Sequence, residues 1–157
     1  MNTRFPFPDI IIENMKAGQP RDVFKNIGKE LADNFLSNSD DIVQLMIDSE
    51  ATGNSPIGDG VAVLGVRVPA TMAPARICVF VKLDKPMAFK GTETQPCDMI
   101  FMVISPENEV QAHIRDLSAV IRTLRDRDLL ASLRAQSLPD RIMNLFYARD
   151  TDMYKAA

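Results

Sequence analysis

The stretch "RICVFVKL", residues 76–83, decides the fold class of this 157-residue chain. Its apolar side chains fall on both faces of an extended segment, which is typical of a strand in the middle of a covered sheet. A second apolar run of strand length, "MIFMVI", follows at residues 99–104. The two runs predict neighbouring inner strands of a mixed β-sheet with helices packed on both faces.

Weaker patterns place the other elements around these two strands. Pro20 suits the first turn of a helix, and Ser39 is a good N-cap for the next one, which should fray near Thr52. The first of these helices has Phe24, Ile27, Leu31 and Phe35 on one face. The remaining predictions are short strands at Ile10–Ile12 and Val61–Leu64 and short helices near Arg127–Ala135 and Pro139–Tyr147.

A longer helix is predicted to begin directly after the second inner strand. Ser105-Pro106-Glu107 combines an N-cap residue, a proline at the first position and an acidic residue in the first turn. The predicted inward stripe of this helix consists of Val110, Ile114, Leu117, Ile121 and Leu124. His113 lies one residue from that stripe, which favours a partly buried, hydrogen-bonded histidine.

Composition limits the functions that the chain can have. Hydrophobic residues make up 46% and charged residues 25% of the sequence, and the net charge is −3, as in ordinary globular proteins. The sequence lacks the basic stripe that is typical of nucleic-acid-binding proteins. Its apolar runs are all shorter than the roughly 18 residues of a membrane span. The start does not resemble a signal peptide. We therefore expect a cytoplasmic protein with one domain over residues 1–157 and a core at about 10–147.

Metal and disulfide chemistry are not expected either. Cys78 and Cys97 lie in separate strand-like segments without CxxC spacing, and His113 is the only histidine. Buried, reduced thiols are favoured over a disulfide between these two residues. No cofactor is expected.

The segment "GNSPIGDGVAVLGVR", residues 53–67, contains four of the seven glycines. Glycine-rich loops can hold anions through exposed backbone N–H groups. The nucleotide-binding spacings are absent, because there is no GxxxxGK[ST] and the next glycine after Gly58 and Gly60 is Gly65, inside a predicted strand. With one histidine in the chain, no Ser-His-Asp or Cys-His arrangement is convincing.

Three stretches together resemble one known family. They are residues 53–67, "KPMAFKGTETQPCDMIFMVISP" at 85–106, and "AHIRDLSAVIRTLRDRDLLASLRA" at 112–135. Their order and spacing are similar to the EIIA domain of the fructose/mannitol type, including the nitrogen-regulatory EIIA proteins, of the bacterial phosphoenolpyruvate-dependent phosphotransferase system. The resemblance covers about Ile10 to Phe146 and implies a single-domain α/β fold, a mixed sheet sandwiched by helices.

The resemblance also implies a site. In that family a histidine accepts a phosphoryl group from a phosphocarrier protein and passes it to an EIIB domain. Carried over by position, this histidine falls on Gly65, the proline before it on Leu64, and an arginine ahead of the loop on Ser49. The positions that keep a useful side chain are Arg67 at the motif's lysine, Ser55 in the loop and His113 at the family's second histidine.

The leading hypothesis is therefore an EIIA-like regulatory protein that lacks the acceptor histidine, is not an enzyme, and acts by binding another protein. A phosphocarrier protein, a sensor kinase or a transporter-like target would be such a partner, and a homo-oligomer is left open. One alternative is an active phosphocarrier that uses His113 as acceptor.

The other alternative is a small-anion sensor built from Arg67, His113, Ser55, Gly58 and Gly60. If Gly65 and His113 face each other as their family counterparts do, the missing imidazole should leave a small concavity beside His113.

Overall fold

The computed structural model describes residues 5–34, 39–51 and 55–156. The strands in this part are β1 (Ile10–Met15), β2 (Ser55–Pro56), β3 (Val61–Val68), β4 (Ile77–Met87) and β5 (Cys97–Pro106). The helices are α1 (Pro20–Asn34), α2 (Ser39–Ala51), α3 (Val110–Thr123), α4 (Arg127–Ala135) and α5 (Pro139–Ala156). No helix of the described ranges is both long enough and apolar enough to cross a membrane.

The described strands form one mixed sheet in the order β1-β4-β5-β3-β2. The two apolar runs lie in β4 and β5, which are antiparallel neighbours with Val79 opposite Met102. On their outer sides β1 runs parallel to β4, and β3 runs parallel to β5. The prediction of two neighbouring inner strands is therefore confirmed.

Helices cover both faces of this sheet, as predicted. One face packs on α1 and α2 through a core that includes Phe24, Ile27 and Met46. The other packs on α3, α4 and α5, around the rings of Phe5, Phe80, Phe101 and Phe146. Because side chains alternate along a strand, successive residues of β3 belong to different cores. This alternation places Gly65 and Arg67 on the face that α3 covers.

The predicted helix start at Ser105-Pro106-Glu107 is wrong. Ser105 and Pro106 still belong to β5, and α3 begins at Val110 with Glu109 as its N-cap. The parallel ladder continues to the ends of both strands, pairing Arg67 with Ser105 and Val68 with Pro106. The Glu107 N–H then donates to the Val68 carbonyl oxygen at 2.7 Å. This long-range pairing overrides a local sequence signal that is typical of helix starts.

The predicted inward stripe of α3 is also wrong in its first half. Val110 and Ile114 are 41% and 55% exposed, whereas His113 and Asp116 are buried. Asp116 is acceptable there because the Arg76 guanidinium lies 3.1 Å from its carboxylate. The buried face of α3 is thus rotated away from the most apolar stripe in its sequence.

The other elements differ from the predictions mainly in their length. α4 has the predicted bounds, while β1 and β3 are longer than predicted and α5 continues past Tyr147 to Ala156. Cys78 and Cys97 are both free and buried, as expected. Burial raises the pKa of the Cys78 thiol to about 12, so this thiol is protonated and inert at neutral pH.

Candidate functional site

The candidate site lies where α3 crosses the C-terminal halves of β3 and β5. In the parallel register Gly65 is opposite Val103, and Arg67 is opposite Ser105. All four residues lie on the sheet face that α3 covers, because they occupy alternate positions on their strands. α3 then places His113 directly against this surface.

His113 is held in a defined orientation between the helix and the sheet. Its side chain is only 7% exposed, and Nδ1 lies 2.7 Å from the Ser105 hydroxyl oxygen. Burial lowers the pKa of His113, the positive charge of Arg67 lowers it further, and Asp116 acts in the opposite direction. The imidazole is therefore neutral at pH 7, with Nε2 directed at the backbone of Gly65.

A side chain at position 65 would displace its present neighbours. A Cβ with standard geometry on Gly65 would lie 2.7 Å from His113 Nε2 and 2.9 Å from Leu117 Cδ1. Both distances are shorter than Cβ atoms show in real structures. Gly65 and His113 therefore do face each other, but the expected concavity between them is absent, because the imidazole of His113 and the side chain of Leu117 fill that space.

Arg67 lies at the solvent edge of the same site. It is exposed, and its Nη2 donates a hydrogen bond of 2.5 Å to the Glu107 carbonyl oxygen, in the segment that leads into α3. This contact fixes the guanidinium beside the first turn of the helix. The charge of Arg67 at this position also lowers the pKa of His113.

The predicted anion site is not one cluster. Gly58 and Gly60 precede β3, and six residues of extended chain separate Gly60 from Arg67, which corresponds to roughly 20 Å. Their positive φ angles, 87° and 80°, form a tight loop. Arg134 of α4 holds this loop through the Asp59 carbonyl oxygen. The backbone of Ser55 pairs with Val63, and its side chain lies outside the described part of the chain.

The sequence pattern predicts other roles for two residues of the site. It predicts a helix cap at Ser105 and a core position in the apolar stripe for Leu117. Only the register between β3 and β5 brings Ser105 to His113, and no local pattern reports that register. Among the described residues there is no group of three or more histidine, cysteine or acidic side chains that could hold a metal ion.

Comparisons with known proteins agree with this fold. Residues 7–148 match the family of the phosphoenolpyruvate-dependent sugar phosphotransferase system, EIIA 2. A nitrogen regulatory protein homologue of Haemophilus influenzae is 27% identical over 145 residues, which are 91% of this chain and 88% of that protein.

Two solved structures have the same fold. The nitrogen regulatory protein IIA-Ntr of Neisseria meningitidis superposes with a TM-score of 0.76 at 22% identity, covering 87% of this chain and 92% of that one. The mannitol enzyme IIA of Escherichia coli, in its complex with phosphorylated enzyme IIB, has a TM-score of 0.69 at 18% identity. It covers 88% of this chain and 94% of that one.

The contact between Gly65 and His113 predicts the effect of adding one methyl group. We expect Gly65→Ala to lower the free energy of unfolding by about 1–3 kcal/mol, because the new Cβ forces His113 or Leu117 to move. Gly18→Ala is the matched control, since its Cβ would make an ordinary 3.6 Å contact with Asp22. Urea unfolding measures the free energy of unfolding of both variants.

A double-mutant cycle tests the cause of this loss. In a His113→Ala background the same Gly65→Ala change should have a smaller effect, because the imidazole that it meets is gone. An equal loss in both backgrounds would mean that His113 does not restrict residue 65.

The lowered pKa of His113 also predicts a dependence of stability on pH. As the pH falls below about 6.5, the imidazole of the unfolded chain takes up a proton before that of the folded chain. The contribution of His113 is therefore complete above that pH and is lost as the pH falls through the lower, folded pKa.

Urea unfolding at about pH 7.5 and about pH 5.5 tests this sign. We expect His113→Gln to lose less stability over this interval than the unmodified chain, since it lacks the titrating group. Identical pH dependences would contradict the lowered pKa of His113.

Proposed function

The chain belongs to the EIIA 2 family of the phosphoenolpyruvate-dependent sugar phosphotransferase system, and from this premise we propose that it is a regulatory EIIA protein that does not carry a phosphoryl group. It acts in the cytoplasm by binding another protein. The regulatory role is supported by its similarity to nitrogen regulatory proteins. The following geometry supports the absence of transfer.

The observation that carries the proposal is the contact between Gly65 and His113. Transfer through a histidine requires a nucleophilic nitrogen that a donor phosphoryl group can approach. Gly65, at the position of the family's acceptor histidine by the resemblance, has no side chain. His113 is 7% exposed, and one of its nitrogens is engaged by Ser105. Neither residue presents a nitrogen to a docked partner.

A second candidate function is phosphoryl transfer through His113. One observation favours it: the lowered pKa keeps the imidazole neutral, which is the nucleophilic form. The burial of the ring opposes it, since a phosphoryl group on Nε2 would need the space that Gly65 and Leu117 leave closed. An anion sensor is supported less well, because the Arg67 guanidinium is bonded to the Glu107 carbonyl and the glycine loop lies far away.

The docking surface that we propose is the exposed flank of α3 beside Gly65. Val110, Ile114, Leu117 and Ile121 lie on this flank at helical spacing, and none of them is fully buried. Exposed apolar patches of this kind mark protein-binding surfaces. Leu117 joins the flank to Gly65.

The charges around this flank indicate the chemistry of the partner. Arg67 lies beside the start of α3, and Arg125 lies in the turn that follows the end of this helix. Both are exposed. We infer a partner with an apolar centre and an acidic rim. The complex of the mannitol enzyme IIA with enzyme IIB supports a protein partner.

Incubation with phosphoenolpyruvate and the general phosphotransferase proteins should leave this chain without a phosphate adduct in intact-protein mass spectrometry. The reason is the absence of an accessible imidazole. An acid-labile adduct that disappears in His113→Ala would favour the second candidate function instead.

The same assay can be applied to Gly65→His, which places a histidine at the position of the family's acceptor. We expect the variant not to be phosphorylated efficiently, since a side chain at residue 65 meets His113 and Leu117. Rapid phosphorylation of the variant would show that only the nucleophile is missing and that the rest of the site can still support transfer.

Affinity capture from the native cytosol tests the docking surface. Ile114→Glu should reduce recovery of the bound protein at least tenfold, because it places a carboxylate at the centre of the apolar flank and repels an acidic rim. Leu138→Glu is the matched control, since Leu138 is 50% exposed and Ile114 is 55% exposed. Equal recovery with both variants would place the interaction elsewhere.

A further inference from the structure

A second concave surface lies on the face of the sheet opposite to His113. It is a cleft of about 860 Å³ between the end of β1, the helix α1, the start of α2 and the end of β4. This volume lies within the range of about 300–1,000 Å³ that small-molecule sites occupy. Its lining shares no residue with the candidate site around Gly65 and His113.

Lysine side chains are concentrated in this cleft. Four lysines line it, whereas no arginine in the described part of the chain does. They are Lys16 after β1, Lys25 and Lys29 on α1, and Lys85 near the end of β4. In the described part of the chain none of these four ammonium groups forms a salt bridge with a carboxylate. Their charge is available to a ligand.

The lining of the cleft includes a glycine in the interior of α1. Gly28 is buried and lines the cleft beside Lys25 and Lys29. Glycine in a helix interior is less favourable than alanine by about 1 kcal/mol. The cleft lining thus includes a position at which the helix alone would favour alanine.

Hydrogen-bond acceptors accompany the lysines. Asp22, Asp40 and Asp84 contribute carboxylates, and Asn26 contributes an amide. One oxygen of Asp22 accepts the Gly18 N–H at 3.2 Å, which fixes this carboxylate at the start of α1. A ligand that fits must satisfy cations and acceptors together, so it carries anionic groups and also hydroxyl or amino donors.

We propose that this cleft binds a phosphorylated metabolite of nucleotide size. The phosphate oxygens contact the ammonium groups of four lysines, which are Lys16, Lys25, Lys29 and Lys85. Hydroxyl or amino groups of the ligand donate to the carboxylates. The proposal is independent of the function proposed for the α3 face, because the two surfaces lie on opposite sides of the sheet.

Isothermal titration calorimetry of the full chain with three probes tests the ligand class. ATP without added magnesium should bind, inorganic triphosphate should bind more weakly, and adenosine should not bind measurably. Equal affinity for triphosphate and ATP would overturn the nucleotide-sized ligand in favour of inorganic polyphosphate. Binding of adenosine as tight as that of ATP, or no binding of any probe, would overturn the site.

Paired charge removals locate the binding. Lys25→Ala combined with Lys29→Ala should weaken ATP binding at least tenfold. Arg122→Ala combined with Arg141→Ala removes the same charge from two exposed helix positions outside the cleft and should leave the affinity within twofold. Equal weakening by both pairs would mean that ATP binds through net charge alone, which contradicts the cleft. Circular dichroism verifies that both variants remain folded.

Discussion

The parallel ladder between β3 and β5 fixes the position of every group in the candidate site. It places Gly65 opposite Val103 and Arg67 opposite Ser105, and it continues until both strands end. Only after this ladder ends can the chain turn and begin α3 at Val110. The short connection then sets His113 above Ser105, at hydrogen-bond distance. Two strands that are far from each other in the sequence thus determine which helix residue faces the sheet.

This geometry links two features that the sequence presents separately. A residue without a side chain at position 65 allows His113 to pack against the strand, and any side chain there would force His113 or Leu117 to move. Because protein interiors are close-packed, a larger residue at position 65 requires His113 or Leu117 to move. Gly65 and His113 are therefore packed against each other in a way that does not need an acceptor histidine. Restoring an acceptor histidine would also require His113 and Leu117 to occupy other positions.

Much of the fold could be predicted because its signals are local. The apolar runs of β4 and β5 and the ends of α4 are visible in short windows of sequence. The start of α3 could not be predicted, since a good capping sequence at Ser105 is outweighed by strand pairing with β3. The buried face of α3 also depends on a distant partner, because Asp116 is buried only with Arg76 beside it.

The site and the cleft differ in what the sequence reveals of them. Family resemblance identified Gly65, Arg67 and His113, and the structure brings these three together. No sequence motif marks the cleft, because Lys16, Lys25 and Lys85 come from three separate segments that meet only in the folded chain. Alternate residues of β3 separate the two surfaces: Leu64 and Val66 belong to the core under α1 and α2, whereas Gly65 faces α3. Charge changes in the cleft therefore leave the packing around His113 intact, so that the two proposals stand or fail separately.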